Sequence, residues 1–303
     1  MSDLTSMMQT RAKELLESGE VSYVIGWEKG TFWFNSPPAF IHEAEEAERL
    51  IWDEFCLDNL AHFLLEDRYA EGKVALFVKG CDSRGINRLI QDKQLKRERV
   101  YLLGIPCPGL KDNSKALEVA DGQSEQLPLV PVCQDCRHKN PVIFDELLGE
   151  EVNEEIASTS ETTVEKKFAD ITELESLSAD ERYEYWAKQF KRCIRCFACR
   201  NVCPACNCTV CCFDIPKVGW LGKQVNESEN AFYQLTRSMH VAGRCIECGA
   251  CEKVCPMDIP IMQLNKKLIK DLNEQFGPYE AGLNLEDMPP LGIYSVDDPD
   301  EFL

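Results

Sequence analysis

The hydrophobic positions of the first half of the chain follow two different periods. Residues 73–78 (KVALFV) are a continuous β-prone apolar run, which predicts a strand buried on both faces, and residues 100–105 (VYLLGI) predict a second strand. Between these runs, apolar residues recur at the spacing of an amphipathic helix: Ile86, Leu89, Ile90 and Leu95. Together they predict a β-α-β unit, whose right-handed crossover makes the two strands parallel.

Three further elements are predicted upstream of this unit. Residues 3–18 have the pattern of an amphipathic helix. Alternating apolar residues over 21–27 predict a strand, and a short turn would lead it into a hairpin partner at 31–34. Residues 43–65 show helical spacing and predict a second helix.

The second half of the chain shows helical periods. A capping-box pair, Ser178 and Glu181, predicts a helix that leads up to the first cysteine of this region. Two more helices are predicted from apolar stripes at helical spacing. The stripes are Phe232, Leu235 and Met239 in one helix, and Ile261, Leu264, Leu268 and Leu272 in the other. The predicted fold class is α+β, with an N-terminal α/β domain that contains a small parallel sheet and an all-helical C-terminal domain.

Composition divides the chain into four predicted segments. Residues 149–180 are acidic, rich in Ser and Thr, and without a sustained apolar period, which predicts a linker. This linker separates an α/β domain at 1–148 from a helical domain at 181–280. Residues 281–303 are acidic and contain prolines, and we interpret them as a tail that is either mobile or laid as a strap over a protein surface.

The charge of the chain narrows the classes of partner. Its 303 residues include 33 basic and 52 acidic side chains, a formal net charge of −19 at pH 7. A surface of this sign repels phosphate backbones, so nucleic acid is not an expected partner. No run reaches the roughly 18 consecutive apolar residues of a membrane-spanning helix. Because the first residues also lack a basic-then-apolar leader pattern, we expect a cytoplasmic protein without a membrane span.

Cysteine is the residue type that most changes the functional interpretation. The chain contains 17 cysteines, far more than a hydrophobic core needs, and a reducing compartment does not keep them as disulfides. Five of them lie in the first half of the chain, and twelve lie between residues 193 and 255. This density predicts metal binding in both halves.

The strongest motif is a repeated run, C-x-x-C-x-x-C-x-x-x-C-P. Its two copies are Cys193, Cys196, Cys199 and Cys203, and then Cys245, Cys248, Cys251 and Cys255. Two such runs are typical of two [4Fe-4S] clusters, each held by three thiolates of one run and the last thiolate of the other. The predicted ligands are therefore Cys193, Cys196, Cys199 and Cys255 for one cluster, and Cys245, Cys248, Cys251 and Cys203 for the second. Two zinc sites are the less favoured alternative, because zinc does not require a third close cysteine or a trailing proline.

Residues 240–261 (HVAGRCIECGACEKVCPMDIPI) resemble the α-helical ferredoxin domains of heterodisulfide reductase and succinate dehydrogenase iron-sulfur subunits. The resemblance covers about 179–276 and implies a domain that passes single electrons through two cubane clusters. Four cysteines are additional to that domain: Cys206, Cys208, Cys211 and Cys212. They could bind another metal, replace a ligand or pack as buried thiols, and we favour the last interpretation.

A third set of cysteines is predicted at the carboxyl edge of the parallel sheet. Cys81 follows the first strand of the β-α-β unit and Cys107 follows the second, so the topology brings them to the same edge. Cys133 and Cys136 add a C-x-x-C pair in a proline-flanked loop. These four residues predict a third [4Fe-4S] cluster, which would extend the path for electrons. A structural zinc ion and four unmetallated cysteines are the alternatives.

Three segments of the first half carry a second resemblance: EEAERLIWDEFCLDNLAHFL (45–64), VALFVKGCDSRGINRLI (74–90) and GIPCPGL (104–110). They resemble the beta-subunit family of hydrogenases and dehydrogenases that reduce coenzyme F420, a deazaflavin. The resemblance implies iron-sulfur clusters together with a flavin, FAD, that exchanges electron pairs with the deazaflavin. The chain contains no G-x-G-x-x-G or P-loop run, and a flavin bound through loops would leave no such pattern.

Basic residues crowd the first cysteine run of an otherwise acidic chain. They are Lys188, Lys191, Arg192, Arg195 and Arg200. Cations near an anionic cluster favour its reduced state, and they can also dock an acidic electron donor. An ordinary solvated helix face is the equally weighted alternative.

The sequence as a whole predicts an electron-transfer iron-sulfur subunit that relays single electrons between redox subunits of a larger complex. No Ser-His-Asp or Cys-His arrangement stands out, so no catalytic residue is predicted. The resemblances imply a hydrogenase, a formate dehydrogenase or a heterodisulfide-reductase-like flavoprotein as partner. The alternative function is a flavin-dependent oxidoreductase subunit that reduces a deazaflavin or a similar acceptor.

Overall fold

A computed structural model describes the chain over residues 2–65, 72–154, 166–296 and 298. The chain divides into two compact units, Met1–Ile156 and Ala157–Leu303. The described residues do not include 155–165, in the middle of the predicted linker, or 297 and 299–303 of the predicted tail. The four predicted domain boundaries therefore stay a prediction.

A five-stranded mixed sheet forms the centre of the first unit. Its strands are β1 (Tyr23–Trp27), β2 (Pro38–Ile41), β3 (Val74–Val78), β4 (Val100–Gly104) and β5 (Glu146–Leu147). Their order is β2-β1-β3-β4-β5; β1 pairs antiparallel with β2, and the other three pairings are parallel. Every residue of β1 and β3 is buried, because both faces of the sheet are covered.

Helices cover the sheet and confirm the predicted β-α-β unit. Over the described residues, the first compact unit contains the helices α1 (Ser2–Glu17), α2 (Gly80–Gln91) and α3 (Pro131–Gln134), with 3-10 helices at Ala44–Arg49, Leu60–Leu65, Arg97–Arg99, Asn113–Glu118 and Ser124–Gln126. Helix α2 connects β3 to the parallel strand β4. Helix α1 buries Met8, Ala12 and Leu15 in the same hydrophobic core, as its amphipathic pattern predicts.

The prediction that β1 forms a hairpin with residues 31–34 is wrong. Strand β1 pairs with Pro38–Ile41, with Trp27 opposite Pro38, and not with residues 31–34. Trp33 and Phe34 pack instead in a satellite hydrophobic cluster, where the Trp33 ring meets Phe55 edge-on at 5.6 Å. Burial of these aromatic rings outweighs their preference for a strand.

The predicted helix at 43–65 is also wrong, because only its two ends are helical, as short 3-10 segments. In its middle, the Ile51 N–H donates to the Trp27 carbonyl at 2.9 Å. The Asp53 carboxylate accepts from the Phe55 N–H and from the Ser36 hydroxyl, both at 2.8 Å. These bonds compete with helical hydrogen bonds and hold the chain in an irregular path.

The second unit is helical over the residues described, as predicted. Its helices are α4 (Ala169–Ser176), α5 (Ala179–Arg192), α6 (Ala198–Asn201), α7 (Glu227–His240), α8 (Ala250–Lys253) and α9 (Ile261–Phe276), with 3-10 helices at Cys212–Asp214 and Pro290–Gly292. Helix α5 begins at the predicted capping box, in which Ser178 and Glu181 hydrogen-bond reciprocally. In the described parts of both units, no helix has the length and hydropathy that a bilayer crossing requires.

Helix α4 lies within the range predicted as a linker. Its Ile171 is buried together with Phe168 against Ile269 of α9. Lys270 of α9 forms an ion pair with Glu175. Because only a few apolar residues are involved, the segment carries no sustained apolar period, and the sequence pattern missed this helix.

A buried ion pair stands at the carboxyl end of β3, where α2 begins. Asp82 is fully buried, and it accepts from the backbone N–H of Leu60 at 2.7 Å and of Lys79 at 2.9 Å. The Lys79 ammonium lies 2.9 Å from the Asp82 carboxylate and 3.9 Å from the centroid of the Trp27 ring. The pair fixes the start of α2, which carries Cys81.

Replacement of Asp82 by Asn should destabilise the first unit strongly. It leaves the Lys79 ammonium buried without its counter-charge, which typically costs about 3–5 kcal/mol of unfolding free energy. Urea unfolding followed by circular dichroism measures the change. The control is Lys115→Gln, which breaks an exposed ion pair with Glu118 and should cost at most about 1 kcal/mol. A loss in D82N no larger than in this control would contradict the structural role of the pair.

Candidate metal centres

The two cysteine runs of the second unit share one backbone conformation. In the first run, Arg195 and Phe197 have positive φ angles of 52° and 62°. At the equivalent positions of the second run, Glu247 and Gly249 have φ angles of 60° and 70°. A positive φ is uncommon outside glycine, so three such side chains mark a required backbone path. Each run then continues into a four-residue helix, α6 or α8.

The structure brings cysteines of both runs to one cavity. Cys193, Cys196 and Cys199 of the first run line it, together with Cys255 of the second run. The rest of its wall includes the side chains of Phe197, Ile259 and Ile261. This is the set of four that the crossed arrangement requires, and its thiols face a largely apolar space.

The other four cysteines of the motif influence one another electrostatically. Burial raises the pKa of the Cys245 and Cys251 thiols well above its usual value, and the charges of Cys203 and Cys248 raise it further. Cys203, which belongs to the first run, therefore interacts with thiols of the second run. Buried thiols of this kind ionise when a cation or metal compensates the charge.

A polar face of α7 points at the cysteines, and the sequence analysis missed it. The buried residues of this face are Asn230, Tyr233, Gln234, Arg237 and Ser238, which recur at helical spacing. The Gln234 amide nitrogen lies 3.5 Å from the Cys193 sulfur and 4.0 Å from the Cys199 sulfur. The Tyr233 hydroxyl lies 3.7 Å from the Cys199 sulfur. On α9, the Asn265 amide nitrogen lies 3.8 Å from the Cys251 sulfur.

The apolar stripe that predicted α7 lies on a different face. Phe232, Leu235 and Met239 are 41%, 48% and 64% exposed. The helix was therefore predicted correctly from a stripe that does not contact the cysteine sites. The sequence contains a signal for the buried face. The buried polar residues of α7, from Asn230 to Ser238, recur at three- and four-residue intervals, a spacing that ordinarily marks the apolar face of a helix.

Arg237 shows that the cysteine region fits an anionic group. The residue is only 2% exposed, none of its three side-chain nitrogens bonds to an oxygen or nitrogen atom of the described residues, and its charge interacts with the thiols of Cys251, Cys199, Cys203 and Cys206. A buried guanidinium is costly without a nearby anion. A [4Fe-4S] cluster with four thiolate ligands carries negative charge and accepts hydrogen bonds at sulfur, so the residues present fit such a group.

In the described parts of the chain, no three side chains of His, Cys, Asp or Glu are gathered as the ligands of a single metal ion would be. Zinc binds thiolate sulfurs at about 2.3 Å, which brings all four sulfurs close together. A cubane holds its four thiolates at separate iron corners and therefore farther apart.

The four predicted ligands of the first unit approach one another at the carboxyl edge of the sheet. Cys81 lies in the first turn of α2, and Cys107 follows β4. Burial raises the pKa of the Cys107 thiol to about 12, with further upward contributions from Cys133 and Cys136. The charge of buried Lys79 acts on Cys81 and on Cys107. All four thiols therefore lie in one electrostatic neighbourhood.

A close approach of two backbones holds this arrangement together. A Cβ atom on Gly80 would lie 2.0 Å from the His138 carbonyl oxygen, so only glycine fits at the start of α2. The Ser83 hydroxyl accepts from the Val142 N–H at 2.9 Å. The loop after Cys136 is thereby held against the turn that carries Cys81.

The four additional cysteines fall into two places: Cys206 lies beside Cys203, and Cys212 interacts with Cys211 and Cys208. A hydrogen bond from Cys206 lowers the pKa of the Cys203 thiol, so Cys206 lies beside a predicted ligand. Cys208 is exposed, while Cys211 and Cys212 are half-buried neighbours in sequence. The interpretation as packed thiols suits Cys206 best among them.

Most of the basic residues near the first run have internal partners. Arg195 is buried, forms an ion pair with Glu229 and donates to the Gly222 carbonyl at 3.0 Å. Arg200 pairs with Asp214 at 2.9 Å. Arg192 donates to the backbone carbonyl of Asp258 at 2.9 Å. The remaining two of the predicted cations, Lys188 and Lys191, are exposed and available to a partner.

Residues 189–259 match the family model described as "4Fe-4S dicluster domain". The C-terminal part of the chain carries a 4Fe-4S dicluster domain. The match spans all eight cysteines of the two runs, and it confirms the prediction of an iron-sulfur protein. The individual ligand assignments, the number of clusters in the whole chain and the presence of FAD stay predictions.

Two curated relatives confirm the resemblance stated for the first half. The chain is 23% identical to the F420-dependent formate dehydrogenase subunit beta of Methanocaldococcus jannaschii, over 92% of each protein. It is 24% identical to the F420-dependent formate dehydrogenase 1 subunit beta of Methanococcus maripaludis, over 92% of this chain and 91% of that protein. The alignments run over 351 and 361 positions, so the relatives contain insertions.

A solved structure gives a weaker match. A chain of the F420-reducing [NiFe] hydrogenase complex from Methanosarcina barkeri is 14% identical, with a TM-score of 0.30. The match covers 41% of this chain and 43% of that chain, so the chain corresponds to less than half of it.

Exchange of single cysteines tests how the dicluster domain divides its ligands. Cys203→Ala should remove the cluster of the Cys245 run, and Cys255→Ala should remove that of the Cys193 run, because each residue completes the distant set. Paramagnetic resonance of the reduced protein, with Cys193→Ala and Cys245→Ala as reference spectra, assigns each loss.

The exposed Cys208→Ala is the control and should leave both signals unchanged. If the spectrum of C203A instead matched that of Cys193→Ala, the crossed arrangement would be wrong.

Proposed function

We propose that this chain is the iron-sulfur beta subunit of a formate-dehydrogenase-type complex, in which it relays single electrons between partner redox subunits. The observation that carries the proposal is the cavity shared by Cys193, Cys196, Cys199 and Cys255. A ligand that crosses from the second run into the first set requires the two clusters to be neighbours. Neighbouring clusters suit electron transfer, whereas two independent structural sites would not need the crossing.

The dicluster domain holds both clusters in this proposal. Cys193, Cys196, Cys199 and Cys255 bind one, and Cys245, Cys248, Cys251 and Cys203 bind the other. When bound, such a group takes up or gives back one electron at a time. The chain itself contributes the anchoring thiolates, the hydrogen bonds from Gln234 and Asn265 to their sulfurs, and apolar walls that exclude water.

One side of the first cluster site lies near the surface. Cys196 is exposed, and Ile194 beside it is 52% exposed. The other two ligands of the same run, Cys193 and Cys199, are buried. We infer that electrons enter or leave the domain at the Cys196 side, because a partner can approach the cluster most closely there.

The names of the relatives support the choice of partner. Both are beta subunits of F420-dependent formate dehydrogenases, and both match over about nine-tenths of this chain. We therefore propose that electrons from a formate-oxidising partner subunit pass through this chain towards a deazaflavin. A hydrogenase or a heterodisulfide-reductase-like flavoprotein in place of that partner would use the chain in the same way.

A third cluster in the first unit would extend the path for electrons. Its proposed ligands are Cys81, Cys107, Cys133 and Cys136, which share one electrostatic neighbourhood at the sheet edge. Burial raises the pKa of the Cys107 thiol, while Lys79 lowers it. The buried Lys79 ammonium therefore favours an anionic group at this edge.

Cys133→Ser combined with Cys136→Ser tests the third cluster. Iron should fall from about twelve to about eight atoms per chain, at four per cubane, because two of four ligands are lost. Anaerobic quantitation of iron and acid-labile sulfide measures the change, and Cys208→Ser with Cys212→Ser, two cysteines outside the proposed ligand sets, is the matched double control. Unchanged iron would contradict a cluster at this site, and loss of one zinc atom per chain would support the zinc alternative.

A second candidate function is favoured because the alignments with both relatives cover 92% of the chain and therefore extend over the first unit. Because both are named for dependence on F420, the first unit could itself bind FAD and reduce the deazaflavin. Flavin and metal quantitation on one anaerobic preparation separates the two functions. The relay predicts iron and sulfide without flavin, and the flavin-dependent enzyme predicts about one FAD per chain, released by acid as a fluorescent compound. A preparation that lacked iron and sulfide would overturn both.

A further inference from the structure

Arg237 occupies an unusual position for a cation. It lies near the C-terminal end of α7, is 2% exposed, and none of its side-chain nitrogens bonds to an oxygen or nitrogen atom of the described residues. The groups that interact with its charge are the thiols of Cys251, Cys199, Cys203 and Cys206. Its partners in the described parts of the chain are therefore sulfur atoms and not carboxylates.

The surroundings of Arg237 belong to both cluster sites. Tyr233 and Gln234, one turn earlier on the same face of α7, contact the sulfur of Cys199, a proposed ligand of the first cluster. Tyr233, Cys193 and Cys199 lie in one buried cluster with Cys251, a proposed ligand of the second cluster. The Arg237 charge interacts with the thiols of Cys199, Cys203 and Cys251, and also with that of Cys206, which is not a proposed ligand. One guanidinium thus faces thiolates of both sets.

The geometry points to Arg237 as a positioning residue that serves both clusters, a single buried counter-cation that sets their two reduction potentials together. This inference rests on the proposed function, since it requires two bound clusters. Reduction adds one negative charge to a cluster, and a cation nearby stabilises the reduced form. The interaction is strong at this position because little water screens it.

The physical consequence is a joint shift. A cation beside one cluster alone would change one potential and leave the other nearly constant. If the charge of a cation that faces both sites is removed, both reduction potentials shift in the same direction.

Arg237→Gln in the full chain, purified without oxygen, tests the inference. Redox titration followed by paramagnetic resonance should show that the reduction equilibrium constant of each dicluster-domain cluster falls at least tenfold, which is 59 mV for one electron. Arg237→Lys keeps the charge and should leave both constants within tenfold of the wild-type values. Lys191→Gln removes an exposed cation close to Cys193 and should change neither constant by more than about twofold, because solvent screens it.

Several results would overturn the inference. They are a shift of one cluster alone in R237Q, no shift of either cluster, or an equal shift in R237Q and R237K. Should R237Q fail to bind iron, the pair Arg237→Lys and Arg237→Met decides the role. Loading restored by Lys and not by Met supports a charge role, and loading restored by Met shows a packing role.

Failure of this inference can be told apart from failure of the proposed function. Wild-type protein without iron and sulfide would overturn the proposed function itself. Wild-type protein with two clusters whose potentials do not respond to R237Q would overturn only the role of Arg237.

Discussion

The burial of thiolate charge is the constraint on which the second unit depends. Its cysteines lie among apolar side chains that raise the pKa of the Cys199, Cys245 and Cys251 thiols. Ionised sulfur is tolerated there only where a cation or a metal compensates it. The fold supplies hydrogen-bond donors and one buried guanidinium towards these sulfurs, and iron would supply the rest. Metal binding and folding of the domain are therefore coupled.

The two units solve this problem in different ways. In the second unit, two loops with matching positive φ angles each present three cysteines, and we propose that the fourth ligand of each set comes from the other loop. In the first unit, parallel strands and the helix between them deliver Cys81 and Cys107 to one edge, and a separate loop adds Cys133 and Cys136. The buried Lys79 and Asp82 pair fixes the point where strand and helix meet. Both arrangements place cysteine thiols beside a buried cation, Arg237 or Lys79.

The α-helix between the cysteine runs shows how a correct secondary-structure prediction can conceal a functional face. The stripe Phe232, Leu235 and Met239 predicted the helix but is largely exposed. The face that meets the sulfurs consists of polar residues, because cluster ligands need hydrogen-bond donors more than apolar contact. A polar stripe of helical period beside a cysteine motif is therefore a signal worth reading in the sequence.

Cysteine spacing and hydrophobic period are local properties, so the sequence was sufficient to predict the iron-sulfur character of the chain, its two kinds of architecture and the β-α-β unit. It was not sufficient to predict which strand pairs with β1, that residues 43–65 are mostly irregular, or that α4 lies in the acidic segment. It also did not reveal that Arg237 is buried beside cysteine thiols. These features depend on contacts between residues that are far apart in the sequence, and a local sequence pattern does not specify such contacts.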